Sequence, residues 1–427
     1  MRKMKDSGIA WIGEIPEEWQ VSRVGLHYEV ILGKMLRPTQ ISDDYSLEKY
    51  YCAANVHFDG ISDEEIKEMW FSSSEKEQYA VKEGDLLVVE GGAGAGGCAI
   101  VKHLPGPMYI QNSIMIVRGK NNHSNSYLGF LIQCLVKMGY IDVVCNKATI
   151  PHFTKDKLSN TPYLISADQA RIVSYLDTKC THIDAVIEKT RASIEEYKKL
   201  KQAVITQAVT KGIRPNRAMK DSGVEWVREL PVEWNVIPAK YLFRNSDVRR
   251  QDGDEQMTAS QQYGIISQRD YMDRTGAKVV FANKGLEDWK HVEPFDFIIS
   301  LRSFQGGLEM SETTGCITWH YIVLKPCRPI HSYYFKWLFK SQLYIKALQG
   351  TCNFIRDGQD LRYSNFIQVP LFEPSIAEQQ EIADYLDEKC SEIDKLVAKK
   401  EQYLSELESL KKSLIYEYVT GKKEVPA

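Results

Sequence analysis

The chain has 427 residues, 43% hydrophobic and 26% charged, with a formal charge of −3. That length holds two to four domains at roughly 100–200 residues each, and no apolar run approaches the ~18 residues that a membrane span needs. The near-neutral total means that any nucleic-acid binding must rest on local basic patches. The nine cysteines are scattered, without CxxC or a Cys/His cluster at zinc spacing, and read as reduced thiols of a cytoplasmic protein. The segment MRKMKDSGIAWIGEIPEEW has no apolar stretch of the signal-peptide kind, so none is expected.

In chain order, residues 1–21 form a head, MKDSGIAWIGEIPEEWQV at 4–21, followed by a mixed α/β segment at 22–165. Within that segment VKEGDLLVVE (81–90) is β-rich, GGAGAGG (91–97) is a turn, SIMIVR (113–118) is a strand, and SYLGFLIQCLVKMG is a helix. Residues 166–212 read as a long helix. No Pro or Gly occurs from Ile172 to about Thr210, and apolar residues at Ile183, Val186, Ile187, Ile194, Tyr197, Leu200, Val204 and Ala208 make a seam. Gly212 and Pro215 stop it.

The pattern then begins again. Residues 213–236 are a linker and a second head, MKDSGVEWVRELPVEWNV at 219–236, identical to the first at eleven of eighteen positions. A second α/β segment spans 237–372 with VEPFDFIISL (292–301), the turn SFQGG (303–307), the strand HYIVLK (320–325) and one helix, SYYFKWLFKSQLYIKAL. Asp85 and Asp296 hold matching places in the two halves. Residues 373–427 hold a second long helix, from about Ala377 to Thr420, with a heptad at 393, 396, 400, 403, 407, 410 and 414 in which Lys400 is the polar member. YLDTKCTHID (175–184) in the first helix matches YLDEKCSEID (385–394) in the second.

The ends of each half stay alike while the middles diverge, which is the pattern of one scaffold carrying two different surfaces. The expected fold is α+β: two mixed α/β domains joined by two long helices that form an antiparallel coiled coil, in a pseudo-two-fold repeat. At about 1.5 Å per residue each helix is roughly 60 Å long and cannot bury its own seam. Two separate helices, each packed on its own domain, are the alternative.

Catalytic signatures are missing. Gly92, Gly94 and Gly97 satisfy GxGxxG, but CAIVKHLPGP follows where a dinucleotide site needs a helix, and the second half has no counterpart. The sequence lacks GxxxxGK[ST], GxSxG, HExxH and the Asn/Asp-Pro-Pro-aromatic motif of adenine methylation. No cofactor and no metal are expected, and no catalysis by this chain.

DSGIAWIGEIPEEW, its copy DSGVEWVRELPVEW, SLRSFQGG (300–307) and AEQQEIADYLDEKCSEID (377–394) resemble the specificity subunits of type I restriction–modification systems. The resemblance implies a non-catalytic, DNA-binding subunit whose two middles are target recognition domains, each reading one part of a bipartite asymmetric site on double-stranded DNA. It implies that the helices set the gap and dock methyltransferase subunits, two of them, and that restriction/translocase subunits join that core. One departure is at the start of the first helix: LISADQARI lacks the Glu of FEPSIAEQQ, so Ser166 or Asp168 is expected to cap it.

Side chains that read base edges or hold phosphates are Arg, Asn, Gln, Lys, Ser and Thr. In the first domain the candidates are Lys34, Arg37 and Asn112, with Lys147, Thr149 and His152 in NKATIPHF. In the second they are Arg249, Arg250 and Gln251, then Arg302, Ser303 and Gln305 in the Gly turn, then Arg356 and Arg362. The head tryptophans Trp11, Trp19, Trp226 and Trp234 are read as packing anchors. Residues 22–165 carry 14 Lys/Arg against 16 Asp/Glu and residues 237–370 carry 17 against 14, so the isolated chain is expected to bind DNA weakly.

Overall fold

The computed structural model describes residues 2–145, 151–301, 303–351 and 361–426. By its internal contacts the chain divides into two units, Met1–Thr190 with Gln402–Ala427, and Arg191–Glu401. Both cuts fall inside the long helices Gln169–Lys211 and Ile376–Val419, so each unit holds one head, one sheet domain and a part of each helix.

Each head is a hairpin, Met4–Asp6 with Glu14–Pro16 in unit 1 and Met219–Val224 with Val227–Pro231 in unit 2. The repeated Asp-Ser-Gly explains the turn. Asp6 Oδ1 accepts the Gly8 amide at 3.0 Å and Asp221 Oδ1 accepts the Gly223 amide at 2.9 Å, with both glycines at positive φ (71° and 66°), which only glycine adopts freely.

The central sheets have one topology. In unit 1 the order is Tyr28–Leu32, Ile114–Gly119, Leu86–Val89, Cys98–Ile100; in unit 2 it is Phe243–Ser246, Ile322–Pro326, Phe297–Ile299, Glu309–Met310, with all neighbours antiparallel. Asp85 and Asp296, both buried, do the same work. Asp85 accepts the Lys82 amide at 2.8 Å and pairs with Arg118 at 2.7 Å; Asp296 accepts the Glu293 amide at 2.8 Å and pairs with Lys325 at 3.1 Å. A buried carboxylate needs such partners to stay charged. Around these sheets the halves differ. Unit 1 adds a three-stranded sheet (Tyr109–Ile110, Ser46–Tyr51, Lys67–Phe71), unit 2 two separate pairs, Met257–Ser260 with Gly264–Ser267 and Lys290–Val292 with Gly315–Ile317.

One predicted helix is two. SYYFKWLFKSQLYIKAL breaks at Ser341 into Ser332–Lys340 and Gln342–Gly350, because the Ser341 hydroxyl accepts the Tyr344 amide at 3.3 Å and caps the second segment. The 303–307 turn contains a short helix, Ser303–Gly306.

Within unit 1, Tyr175 and Tyr418 lie ring to ring at 4.6 Å and Lys411 reaches Asp184 at 2.6 Å. Within unit 2, Lys400 lies over the Tyr197 ring at 5.6 Å, Lys201 pairs with Asp394 at 2.7 Å and Arg214 with Glu381 at 2.7 Å. In each unit the partner number falls as the first helix number rises, so the two segments run in opposite directions. The buried helix positions include Ile187, Ile194, Ile205 and Ala208 on one helix and Leu386, Cys390, Ile393 and Leu407 on the other, whereas Leu200, Leu396, Tyr403 and Leu410 are exposed. The expected heptad is therefore corrected at 396, 403 and 410. Its other line runs one residue later, through the half-buried Val397 and Leu404.

The helix ends close onto the heads. In unit 1 the core of Trp19, Tyr127, Leu164 and Ile172 includes Ile415 and Val419; in unit 2 the core of Trp234, Tyr334 and Leu386 includes Ile205 and Val209. Arg2 lies over the Trp19 ring and pairs with Asp168 at 3.0 Å; Arg217 lies over Trp234 and pairs with Glu378. Glu378 also takes the Trp234 indole N–H at 3.0 Å, while the Trp19 indole has no partner among the described residues. Neither expected cap of the first helix takes an amide within it. Ser166 accepts the Asp168 amide at 3.0 Å, and the Asp168 carboxylate turns to Arg2.

Candidate functional site

Sheet register gathers several candidates at one end of each central sheet. In unit 1, Leu32 pairs with Met115 and Val89 with Ile114, so the ends of Tyr28–Leu32 and Leu86–Val89 and the start of Ile114–Gly119 meet. Lys34, Asn112 and Glu90–Gly92 follow from that junction. The Asn112 amide bonds Lys34 O at 2.8 Å, the Glu90 amide bonds Ser113 O at 2.8 Å, and His152 bridges to Gly91. His152 is exposed, with Nδ1 at 3.2 Å from a Glu90 carboxylate oxygen. Asn112 is half-buried and accepts from Gln111 at 2.5 Å. Arg37 is half-buried, its carbonyl accepting from the Trp70 amide at 3.1 Å.

Lys34 is corrected. It is 5% exposed, donates to Trp70 O at 2.7 Å, pairs with Glu75 and lies over the rings of Tyr45 and Phe71. Burial alone would push the Glu75 carboxyl up, but Lys34 and the Ser72 amide hold it below the usual carboxylate range. An ammonium so enclosed cannot meet a phosphate without breaking this pair.

In unit 2 the equivalent end is set by Ser246 opposite Val323 and Ile299 opposite Ile322. Ser300 and Leu301 emerge there. Ser303 is corrected as well: it is 1% exposed, and its hydroxyl accepts the Ser300 amide at 2.8 Å, which fixes the turn. Gln305 is exposed, on a turn packed so closely that a Cβ on Gly306 would lie 2.5 Å from Gln261 Nε2 and one on Gly307 2.0 Å from Phe339 O. The glycines thus serve packing within the domain. Arg249, Arg250 and Gln251 are exposed and follow strand Phe243–Ser246. Arg249 donates to Asp288 O at 2.6 Å, the Arg250 amide bonds Trp289 O at 2.8 Å, and the Gln251 amide bonds Asp254 at 2.8 Å. Arg362 is exposed but lies toward the opposite end, next to Tyr363, whose hydroxyl bonds Phe243 O at 3.0 Å. Lys147, Thr149, Arg302 and Arg356 lie outside the described residues.

Sequence reasoning missed apolar side chains at these same ends. Met35 is 75% exposed just beyond Lys34, and Leu36 is exposed beside it. Leu301 and Trp319 are exposed in unit 2, Trp319 stacked on His320 with centroids 3.6 Å apart. The signal was a large apolar residue beside a turn, outside any strand or helix period. Among the described residues no group of His, Cys, Asp and Glu could hold a metal, and no helix is long and apolar enough to cross a membrane.

No family model matches the chain. Two curated proteins of Methanocaldococcus jannaschii do. The type I restriction enzyme MjaVIII specificity subunit is 25% identical over 230 residues, 53% of this chain and 49% of that protein, so the match spans about half the relative's length. The putative type I restriction enzyme MjaX specificity subunit is 23% identical over 436 residues, 96% of this chain and 95% of that one.

The chain is similar to type I restriction enzyme specificity subunits.

A chain in a solved structure concerned with complex assembly and conformational transition of the type I R-M system has the same fold, with TM-score 0.69 and 14% identity over 96% of this chain and 99% of that one. The match to the MjaX specificity subunit covers 96% of this chain, and the structural match is as broad.

Proposed function

We propose that this chain is the DNA-reading subunit of a type I restriction–modification complex. Residues 22–165 and 237–372 are its target recognition domains, each reading one part of a bipartite asymmetric site. The segments 166–212 and 373–427 form an antiparallel coiled coil that spaces them, and 1–21 and 213–236 are the heads that close the helix ends. The observation that carries this reading is the pairing of one sheet order and one set of anchors in both units with unlike surroundings at the sheet ends. A shared frame with divergent edges suits a protein that reads two different sequences at a fixed separation.

In this reading Arg37, Asn112 and His152 in the first domain and Arg249, Arg250, Gln251 and Gln305 in the second contact DNA, together with Arg362 and with Lys147, Thr149, Arg302 and Arg356. Met35, Leu36, Leu301 and Trp319 supply apolar contact to bases, in the manner of side chains that touch thymine methyls or wedge between base steps. The exposed helix residues Leu200, Leu396, Tyr403 and Leu410 suit docking of two methyltransferase subunits, with restriction subunits joining that core in the cytoplasm. The chain itself performs no chemistry and binds no S-adenosylmethionine.

Co-expression with the methyltransferase subunit of the same system, followed by single-molecule sequencing of genomic DNA, tests this. The expected result is methylated adenine in one bipartite motif with a fixed gap. A stable complex that leaves DNA unmethylated contradicts it.

A further inference from the structure

Unit 1 contains a hydrogen-bonded chain that has no counterpart among the described residues of unit 2. Ser22 Oγ lies 2.8 Å from His27 Nε2, His27 Nδ1 lies 3.0 Å from His123 Nε2, and His123 Nδ1 lies 2.9 Å from the Tyr163 hydroxyl. Tyr163 accepts from Gln169 Nε2 at 2.7 Å, and Gln169 also donates to Leu164 O at 3.1 Å. Gln169 is the first residue of the first long helix. Ser22 and Tyr163 sit opposite each other on the strand pair that joins the head to the end of the sheet domain. The chain therefore ties the sheet domain to the helix start. His123 is held in place by a tight turn, with Asn121 and Asn122 both at positive φ (49° and 64°).

The proton inventory is closed. The run closes in either direction: Gln169 to Tyr163, Tyr163 to His123 Nδ1, His123 Nε2–H to His27 Nδ1 and His27 Nε2–H to Ser22, or the Ser22 hydroxyl to His27 Nε2, His27 Nδ1–H to His123 Nε2, His123 Nδ1–H to Tyr163 and the Tyr163 hydroxyl to Gln169 Oε1; in both, the gap between the rings holds one proton. In the first direction, one added proton on His123 Nδ1 is absorbed when the Tyr163 hydroxyl turns to donate to Gln169 Oε1, 3.1 Å away. A second, on His27 Nδ1, faces the N–H of His123 at 3.0 Å, and two donors cannot share that gap.

Around the pair lie Tyr28, whose hydroxyl is 2.8 Å from Ser124 O and 3.2 Å from the Tyr163 hydroxyl; Tyr127, whose ring is 6.1 Å from Tyr163; and Lys120, which bonds Gly25 O at 3.4 Å. The helix Lys155–Asn160, with Lys155, Asp156 and Lys157, packs on the short helix Val24–His27. No carboxylate bonds either imidazole among the described residues. Burial and the charge of His27 hold the His123 imidazole below its usual value. A histidine so lowered in the folded state stabilises the fold above the usual histidine range, and that contribution is lost as pH falls through it toward the lower folded value. In unit 2 the counterparts of His27 and Tyr28 are Leu242 and Phe243. Ile330 stands where unit 1 has His123, and His331, at the helix cap that Ser124 holds in unit 1, has no partner at Nδ1 among the described residues.

We propose that His27 and His123 form a one-proton latch that fastens the sheet domain of unit 1 to the start of the first long helix and opens when both rings are protonated. Hydrogen exchange of the full chain, corrected for the intrinsic pH dependence, tests it between pH about 8 and about 5, which brackets the ordinary histidine range. Below that range, protection at residues 20–23 and 169–176 should fall by about tenfold per pH unit for each proton taken up on opening. Residues 235–237 and 376–386 should show no such fall. H27Q and H123N should each abolish the response. Should H123N not fold, H27Q decides, together with the ring-nitrogen titration of His123 in the unaltered chain, expected below the usual histidine value. A pH response equal in both units, absent from the unaltered chain or kept by the variants overturns the latch. None of these outcomes depends on whether the chain reads DNA.

Discussion

The Tyr127 hydroxyl donates to the carbonyl of Val419, 292 positions later, at 2.9 Å, and the Tyr334 hydroxyl does the same to Val209 at 3.3 Å. Each is buried, and each accepting carbonyl is among the last of a long helix, where no intrahelical donor remains. The first sheet domain thus holds the end of the second helix, and the second domain holds the end of the first. Tyr127→Phe should cost about 1 kcal/mol, the usual net value of such a bond. It should also speed exchange at residues 415–420 more than at 205–211, and Tyr334→Phe should do the reverse. Exchange measured by mass spectrometry checks both.

Trp234 and Trp19 offer a matched comparison. Trp234 donates to Glu378, whereas Asp168, one methylene shorter at the equivalent position, leaves the Trp19 indole without a partner. Trp234→Phe should therefore destabilise by roughly 1–3 kcal/mol more than Trp19→Phe, because it strips a donor from a buried carboxylate. Asp168→Glu should stabilise unit 1 by up to about 1 kcal/mol. Denaturant unfolding followed by tryptophan fluorescence reads these differences.

Lys34 belongs to the fold. Lys34→Ala should cost roughly 2–4 kcal/mol, less than a fully buried pair because Glu75 keeps some solvent. Replacing Lys34 and Glu75 together by apolar residues should regain most of it. Denaturant unfolding gives the cost, and the methylated motif of the assembled complex should not change.

Trp319 is exposed and, among the described residues, stacks on His320 alone, so Trp319→Ala should change stability by no more than about 0.5 kcal/mol. In the assembled complex it should weaken binding to the cognate duplex about tenfold or more, given roughly 1–3 kcal/mol for a base–aromatic contact. The Met35→Ser/Leu36→Ser double variant should act likewise. Fluorescence anisotropy at fixed salt measures both.

The duplication was legible because both heads and both YLD segments keep their residues, and the Asp85/Asp296 match marked one sheet plan. Other features depend on distant partners. The helix seam was misplaced because Leu396 and Val397, and Tyr403 and Leu404, are adjacent apolar pairs, so spacing alone cannot say which member faces inward. Lys34 looked like a surface cation because Glu75, 41 residues on, carries no local signal. Ser303 looked like a contact because a hydroxyl beside glycines suits a phosphate as well as it suits a turn. The His27–His123 pair, 96 residues apart, left no mark in the sequence.

The most direct test of the account is to exchange residues 22–165 for the corresponding segment of a related specificity subunit and map methylated adenines with the same methyltransferase. The account predicts that one half of the bipartite motif changes while the other half and the gap stay the same. A motif altered in both halves, or unaltered in either, would contradict it.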